Sequence, residues 1–558
     1  MPTLALLRLQ RTVDRLLDPW QATGGPGMTI GVVRDDTLVL HRSAGMANIE
    51  LGVPIGPGTT FRIASVSKQF TCAAILLLAA EGRLRIEDDV RDHIVGFPDL
   101  GHRITLAHLM HNTSGIRDML EIMRLGGVDL RQPCQASDLL DAVCRQRALN
   151  FVPGTRYLYS NSNFMLLGRI VEQVSGESLA AFLDSRIFAP LGMSMTRHTP
   201  LTTELVPGLA SGYFPAPDGA RGRWRHALHN FPLHGEGGLV SSVEDLALWH
   251  AQFGLPSRYG DALAAALMTM TPFLNGTANT YARGLRIRTW RGVSTVGHDG
   301  LWPGFKTSFV RLCDQHAPHH NMAVICISND ATSDPHELAF QVVDALLEGA
   351  PGVHAVPAMP NWAMPNWAVP NWADQSALEG CYLDRVTGAT VDIGRDAKHR
   401  VTAGINGVAT FLLPTEDGRL ATNRGSGDFT LRFDGQAIEV ERDAGVIGML
   451  HRVAPGAHLP PDLPGRYANV DTAATWTITA TETGAAMRVA GPVLHTAGPW
   501  DIAPIDGDDI RIYTPMTLYR GWMDTRVMRD GGGRITGLHV DGGRVKGLVF
   551  ERLGASEA

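Results

Sequence analysis

Residues 359–373 read MPNWAMPNWAVPNWA, a five-residue period repeated three times with a proline in every copy. Proline removes a backbone donor and clashes with the preceding helical turn, so this spacing forbids both a helix and a central strand. The segment reads as a stiff, extended linker, with the first domain expected to end near residue 350. Its tryptophans are expected to dock the linker on a neighbouring domain, with a Pro-rich recognition segment as the alternative. A length of 558 residues, 44% of them hydrophobic, supplies two to four domains with sizeable cores. The boundaries expected are 1–350 for a first domain, 351–376 for the linker, and 377–455 and 456–558 for two further domains.

The last two boundaries come from a second, longer repeat. LEGCY at 378–382 matches LPGRY at 463–467, and GMLHRV at 448–453 matches GLVFERL at 547–553. Between them lie short alternating stretches with Gly and Asp turns, the pattern of a small antiparallel barrel written twice. The second copy is the longer, and the apolar, Gly/Pro-rich segment 488–501 is the expected site of the inserted loop. Before the linker the pattern is mixed. GMTIGVVRDDTLVLHRSAG at 27–45 is a hairpin around Asp35-Asp36, helical text fills the middle, and STVGHDG, KTSFVRL and MAVICISND return to strands. Strands at both ends with helices between predict one α+β domain whose termini meet in a single antiparallel sheet.

A formal net charge of −7 and the lack of a basic block argue against nucleic acid or an anionic membrane as partner. The opening MPTLALLRLQRTVDRLLDPW spaces its leucines between arginines as an amphipathic helix, and no run approaches a membrane span, so a cytoplasmic protein is expected. Six cysteines without CxxC spacing read as scattered thiols. His316, His319 and His320 cluster in QHAPHHN, but no HExxH accompanies them and a polar turn explains them more simply. Neither a metal nor a cofactor is expected.

The chemistry is concentrated in RIASVSKQF, residues 62–70. The chain holds only four lysines, Lys68, Lys306, Lys398 and Lys546, so arginine supplies its ordinary surface charge. Lysine alone of the two can lose its proton when desolvated and act as a base. If a helix begins here, Ser65 and Lys68 share one face a turn apart while Ser67 points elsewhere. Ser65 is then the nucleophile; the plainer alternative is a serine that caps the helix. Two further segments matter. YLYSNSNF places Tyr159 and Asn161 two apart before a helix, and VGHDGLWPGF puts His298 and Gly300 on a strand, where glycine permits close backbone approach.

In this order and spacing the three segments resemble the serine β-lactamase and penicillin-binding-protein superfamily, with Ser-x-x-Lys, Tyr-x-Asn and Lys-or-His-x-Gly. LMHNTSGI, PGTRYLYSN and GGLVSSVEDLA agree, over about 1–350. SVSKQFTCA, NTSGIRD and the paired barrels are most similar to the D-stereospecific aminopeptidase branch. The resemblance implies a β-lactamase-like α+β catalytic domain followed by two lipocalin-like antiparallel barrels, and a loop of the last barrel, near 488–501, that limits substrates to those with a free amino end. It implies acyl transfer, with Ser65 attacking a carbonyl, Lys68 and Tyr159 relaying its proton, and His298 standing where lysine is common and tuning Tyr159 by a hydrogen bond. Backbone N–H groups of Ser65 and Leu301 would form the oxyanion hole beside Gly300, Asn161 would orient the substrate amide, and His495 lies in the loop expected to touch substrate. No acidic residue stands between Arg488 and Trp500 to hold a substrate ammonium, which leaves Asp299 or Asp501 for that task. The partners implied are small peptides or amino acid amides, β-lactams as inhibitors, and a second copy in a homodimer. A broad esterase or amidase, a DD-peptidase, and a sensor that is acylated without turnover are the alternatives.

Overall fold

The computed structural model describes residues 4–21, 24–128, 130–217, 222–253, 258–313, 321–349, 353, 378–396, 401–405, 408–414, 419–422, 429–434, 437–442, 445–454, 456–493, 496–514 and 521–554. They belong to two compact units, the first Met1–Phe97, Arg103–Ser114 and Asn163–Ala358, the second Pro98–His102, Gly115–Ser162 and Met359–Ala558. Of the linker 351–376 only Val353 is described; the three histidines of QHAPHHN and His495 also lie outside the described residues.

In the first unit the hairpin Met28–Arg34 and Thr37–Ala44 turns at Asp35 and Asp36, whose φ angles of 48° and 61° suit the tight turns that join twisted strands. Met28–Arg34 pairs antiparallel with Met322–Ser328, so the two ends of the domain close one sheet. Its spatial order is Arg286–Trp290, Val293–Trp302, Phe305–Leu312, Met322–Ser328, Met28–Arg34, Thr37–Ala44. Helices Leu4–Gln21 and Pro335–Leu347 cover one face, burying Leu9, Val13, Val342 and Val343 with Met28, Ile30 and Val324. A Cβ at Gly31 would lie 2.3 Å from Val243, so glycine lets helix Val243–His250 lie directly on its strand. Among the described residues no helix is long and apolar enough to cross a membrane, and all six cysteines are free thiols.

The second unit contains two closed eight-stranded antiparallel barrels, from Gly380–Leu383 to Gly445–Arg452 and from Gly465–Asn469 to Leu548–Arg552, whose first and last strands pair. The repeated Leu-x-Gly-x-Tyr explains itself here, because the tyrosine hydroxyl donates back to the leucine carbonyl, Tyr382 to Leu378 at 3.0 Å and Tyr467 to Leu463 at 2.6 Å. The fold expected from the sequence, an α+β domain with a central antiparallel sheet followed by two small barrels, is the fold observed. The extra length of the second copy is distributed differently from the expectation. Strands Gly484–Ala490 and Thr496–Asp506 run through both flanks of 488–501. Part of the excess lies elsewhere: residues 542–547 separate the last two strands of the second barrel, where only 443–444 separate those of the first.

The same unit includes residues 115–162, with helices Met119–Leu125 and Ala136–Cys144. Trp476 of the second barrel donates its indole N–H to the Leu125 carbonyl at 3.0 Å. Asp471 is buried between Arg117 at 2.9 Å and Arg147 at 2.7 Å. A Cβ on Gly491 would fall 1.7 Å from the Gly126 carbonyl oxygen, so backbone meets backbone there. The first barrel touches the second through buried and half-buried groups, Thr390 donating to Asp524 at 2.7 Å and Arg511 to Asp392 at 2.6 Å.

Candidate active site

The turn that carries Ser65 begins on a strained residue. Ala64 has φ 47°, a left-handed value that an alanine seldom adopts, between strand Phe61–Arg62 and the 3-10 turn Ala64–Ser67. Helix Lys68–Ala80 comes next, and the helical rise brings Lys68 Nζ to 3.0 Å from Ser65 Oγ. Lys68 is fully buried, with Nζ also donating to the Glu236 carbonyl at 2.6 Å and lying 5.2 Å from the centre of the Phe164 ring. An ammonium placed so is desolvated, the condition under which a lysine yields its proton. Ser65 remains half-buried. Ser67 is buried, makes no capping bond to the helix, and accepts the Leu239 N–H at 3.2 Å. Ser65 is therefore the serine that contacts Lys68, and Ser67 ties two backbone segments together.

Strand Val293–Trp302 runs past this turn. A Cβ on Gly300 would lie 2.3 Å from the Ile63 carbonyl oxygen and 3.3 Å from Ala64, so only glycine allows that approach. Leu301 beside it turns its side chain outward. His298 Nδ1 sits 2.6 Å from the Asp299 carbonyl, which can only accept, so Nδ1 carries the hydrogen. Burial, reinforced by the Lys68 charge, pulls this imidazole down to about 3, leaving it neutral at ordinary pH. Its Nε2 lone pair then accepts the Tyr281 hydroxyl at 3.0 Å. Asp299 is engaged within the sheet, accepting Ser308 Oγ at 2.7 Å and facing His336 Nδ1 at 2.9 Å. Burial works against its carboxylate, but His336, Arg288 and Ser308 together hold it below the usual carboxylate range.

Tyr159 and Asn161 belong to the second unit, and Ser65, Lys68, His298, Asp299, Gly300 and Leu301 belong to the first. Tyr159 is buried on an extended segment that leads into helix Asn161–Ser175. Asp118 organises this segment: one carboxylate oxygen accepts Asn161 N at 2.7 Å and Nδ2 at 2.9 Å, and the other accepts Glu121 N at 3.2 Å. That fixes the rotation of the Asn161 amide. Above the Tyr159 ring, 4.7 Å from its centre, lies the guanidinium of Arg544 from the second barrel.

The Beta-lactamase family profile matches residues 9–347. The chain belongs to the β-lactamase family. It is similar to a D-aminopeptidase of Cereibacter sphaeroides, 29% identical over 568 residues that cover 96% of this chain and 97% of the relative. A D-aminopeptidase of Brucella suis biovar 1 is 28% identical over 571 residues, covering 99% of this chain and all of the relative. Among solved structures, the octameric penicillin-binding protein homologue of Pyrococcus abyssi shares the fold, with a TM-score of 0.54, 22% identity, and coverage of 80% of this chain and 99% of that one.

Sequence reasoning did not single out four residues that contact the candidate residues: Tyr281 beside His298, Glu236 beside Lys68, Asp118 beside Asn161 and Arg544 beside Tyr159. Tyr281 and Arg544 belong to no motif and are found only through tertiary contacts. Asp118 was visible, since it precedes a helical run and is spaced to cap it. Glu236 was visible as an acid inside GEGGL; it is fully buried, its carboxylate accepts His234 N at 2.9 Å, and burial raises it above the usual range.

Proposed function

We propose that this protein is a D-stereospecific serine hydrolase that releases N-terminal D-amino acids from short peptides and D-amino acid amides. The observation that carries the serine chemistry is the Ser65 Oγ–Lys68 Nζ pair at 3.0 Å, with Lys68 fully buried. The handedness and the amino-terminal preference rest on relatives named D-aminopeptidase that align over nearly the whole chain. In this reading Ser65 Oγ bonds to the substrate carbonyl carbon while its proton passes to Lys68 and Tyr159. The tetrahedral oxyanion is held by the backbone N–H groups of Ser65 and Leu301, worth about 3 kcal/mol per donor in comparable sites. The C–N bond breaks as the relayed proton reaches the leaving amine, and water then hydrolyses the acyl-serine. His298, neutral and with its Nδ1 hydrogen held by a carbonyl, acts here as an acceptor that orients Tyr281 and not as a lysine-like charge. Small peptides and amides are the substrates, β-lactams acylate the same serine, and a cytoplasmic homodimer completes the reading.

The test is a stereo-paired panel of D- and L-alanine p-nitroanilides, their N-acetyl forms and p-nitrophenyl acetate, run on the wild type, Ser65→Ala and Ser67→Ala. Ser65→Ala is expected to lose on the order of a million-fold in kcat, with Ser67→Ala active. Equal rates on D and L substrates would remove the stereospecific part of the proposal, and an active Ser65→Ala would remove the mechanism. A burst on the wild type without steady turnover would indicate a sensor.

A further inference from the structure

The turn 542–547 of the second barrel is fastened to the segment that carries Tyr159. Glu121 accepts the N–H groups of Gly543, at 2.7 Å, and of Arg544. Asn150 grips the turn at two points, donating to the Arg544 carbonyl at 3.0 Å and accepting Lys546 N at 2.8 Å. Arg117 donates to the Lys546 carbonyl at 2.9 Å, and a Cβ on Gly542 would strike the Glu121 carboxylate at 2.2 Å. These contacts fix the backbone of the turn on both sides of Arg544. They also set the direction of its side chain, whose guanidinium lies over the Tyr159 ring at 4.7 Å and 3.8 Å from Asp118.

We infer that Arg544 is a positioning residue for Tyr159: it packs on the ring face and lends its charge to the phenolate. The inference rests on the reading of Tyr159 as the phenol that relays the Ser65 proton. A cation over an aromatic face attracts the neutral ring through its quadrupole and attracts a full negative charge more strongly. Asp118 offsets part of the charge, but its carboxylate is already committed to Asn161 and Glu121. Loading Tyr159 with the Ser65 proton and discharging it to the leaving amine passes through the phenolate, which is the form Arg544 stabilises. A barrel with no motif of its own thereby gains a part in the reaction.

The test compares charge with shape. Arg544→Lys keeps the charge; Arg544→Gln and Arg544→Met remove it and leave every backbone contact of the turn in place. With a D-alanine p-nitroanilide, the two neutral variants are expected to lose about ten- to a hundredfold in kcat with KM little changed, and Arg544→Lys to retain most of the rate. In a Tyr159→Phe background, adding Arg544→Gln is expected to cost nothing further. Thermal unfolding selects the folded variants, and two neutral replacements keep the comparison available if one does not fold. Arg544→Lys as slow as the neutral variants, or a loss that persists without the Tyr159 hydroxyl, would overturn the inference. Full activity in Tyr159→Phe alone would instead sink the reading of Tyr159, which distinguishes the two failures.

Discussion

Residues 378–393 of the first barrel and 463–478 of the second align without a gap, and their first turns are built alike. Asp384 accepts the Thr387 N–H at 3.3 Å, and Asn469 in the same place accepts the Thr472 N–H at 2.8 Å. Gly388 and Ala473 come next with φ angles of 77° and 50°. The residue that differs is the one at the tip. Val386 is 86% exposed, whereas its counterpart Asp471 is 5% exposed and ion-paired to Arg117 and Arg147. The first turn meets the second barrel through backbone and one side chain: Arg526 donates to its Arg385 and Val386 carbonyls at 3.0 and 3.1 Å, and the Arg385 guanidinium pairs with Asp506. The same turn thus lies against the second barrel in the first copy and against residues 115–162 in the second, and the side chain at its tip is engaged only in the second.

Acid draws the contrast at the scale of whole domains and has the largest expected effect. In the first unit His111, His198, His229 and His250 are buried, and burial pulls them down to about 4 for His111 and about 3 for the others. Among the described residues of the barrels no histidine is buried. A histidine depressed on folding binds its proton only when unfolded, so its contribution is intact above the unfolded value near 6.5 and is lost as pH falls toward 3 or 4. At pH 5 that amounts to about 2 kcal/mol per histidine. Hydrogen exchange read by segment is expected to show the strands around 293–328 losing protection between pH 7 and 5 while the barrel strands keep theirs. Barrels that open first would break the contrast.

Asp471→Val, which gives the second barrel the tip of the first, comes next. Arg117 is 3% exposed and burial already works against its charge, so removing Asp471 strands a buried guanidinium. The expected cost is about 3–5 kcal/mol, read by urea unfolding of the second unit. An unchanged midpoint would mean that the Gln146 and Lys546 acceptors of Arg117 suffice.

How much was legible in the sequence depends on the range of the interactions. The barrels announced themselves because Leu-x-Gly-x-Tyr closes a bond four residues long, and Ser65–Lys68 because a helical turn places them together. The docking role of Asp471 was not legible: a lone acid in a Val-Asp-Thr turn looks solvated, and its partners are more than 300 residues away. The same holds for Arg544. The apolar, Gly/Pro-rich composition of 488–501 marked a segment that meets other backbone, but could not show that strands Gly484–Ala490 and Thr496–Asp506 occupy its two flanks.

Gly491→Ala probes that segment. The new methyl would need the space of the Gly126 carbonyl oxygen at 1.7 Å, and a backbone atom at the end of helix Met119–Leu125 cannot swing aside as a side chain would. A loss of about 1–3 kcal/mol is expected, the usual cost of overpacking. It should appear in the second barrel and residues 115–128 together, and leave the first barrel unmoved.

Val386→Asp is the reciprocal of Asp471→Val and has the smallest expected effect. The side chain is 86% exposed, so the new carboxylate stays hydrated and strands no partner. Arg526 is near, but it bonds the Arg385 and Val386 carbonyls and pairs with Asp509 at 2.7 Å, which leaves little for another acid to gain. Exposed substitutions of this kind fall within about 0.5 kcal/mol either way. The pair of swaps therefore tests more than each alone. If the valine variant of the second barrel loses several kcal/mol and the aspartate variant of the first loses none, the turn position itself is neutral and the partner across from it supplies the energy. If Val386→Asp were equally damaging, the turn would be intolerant in both copies, and the loss at Asp471 would be a property of the barrel and not of docking.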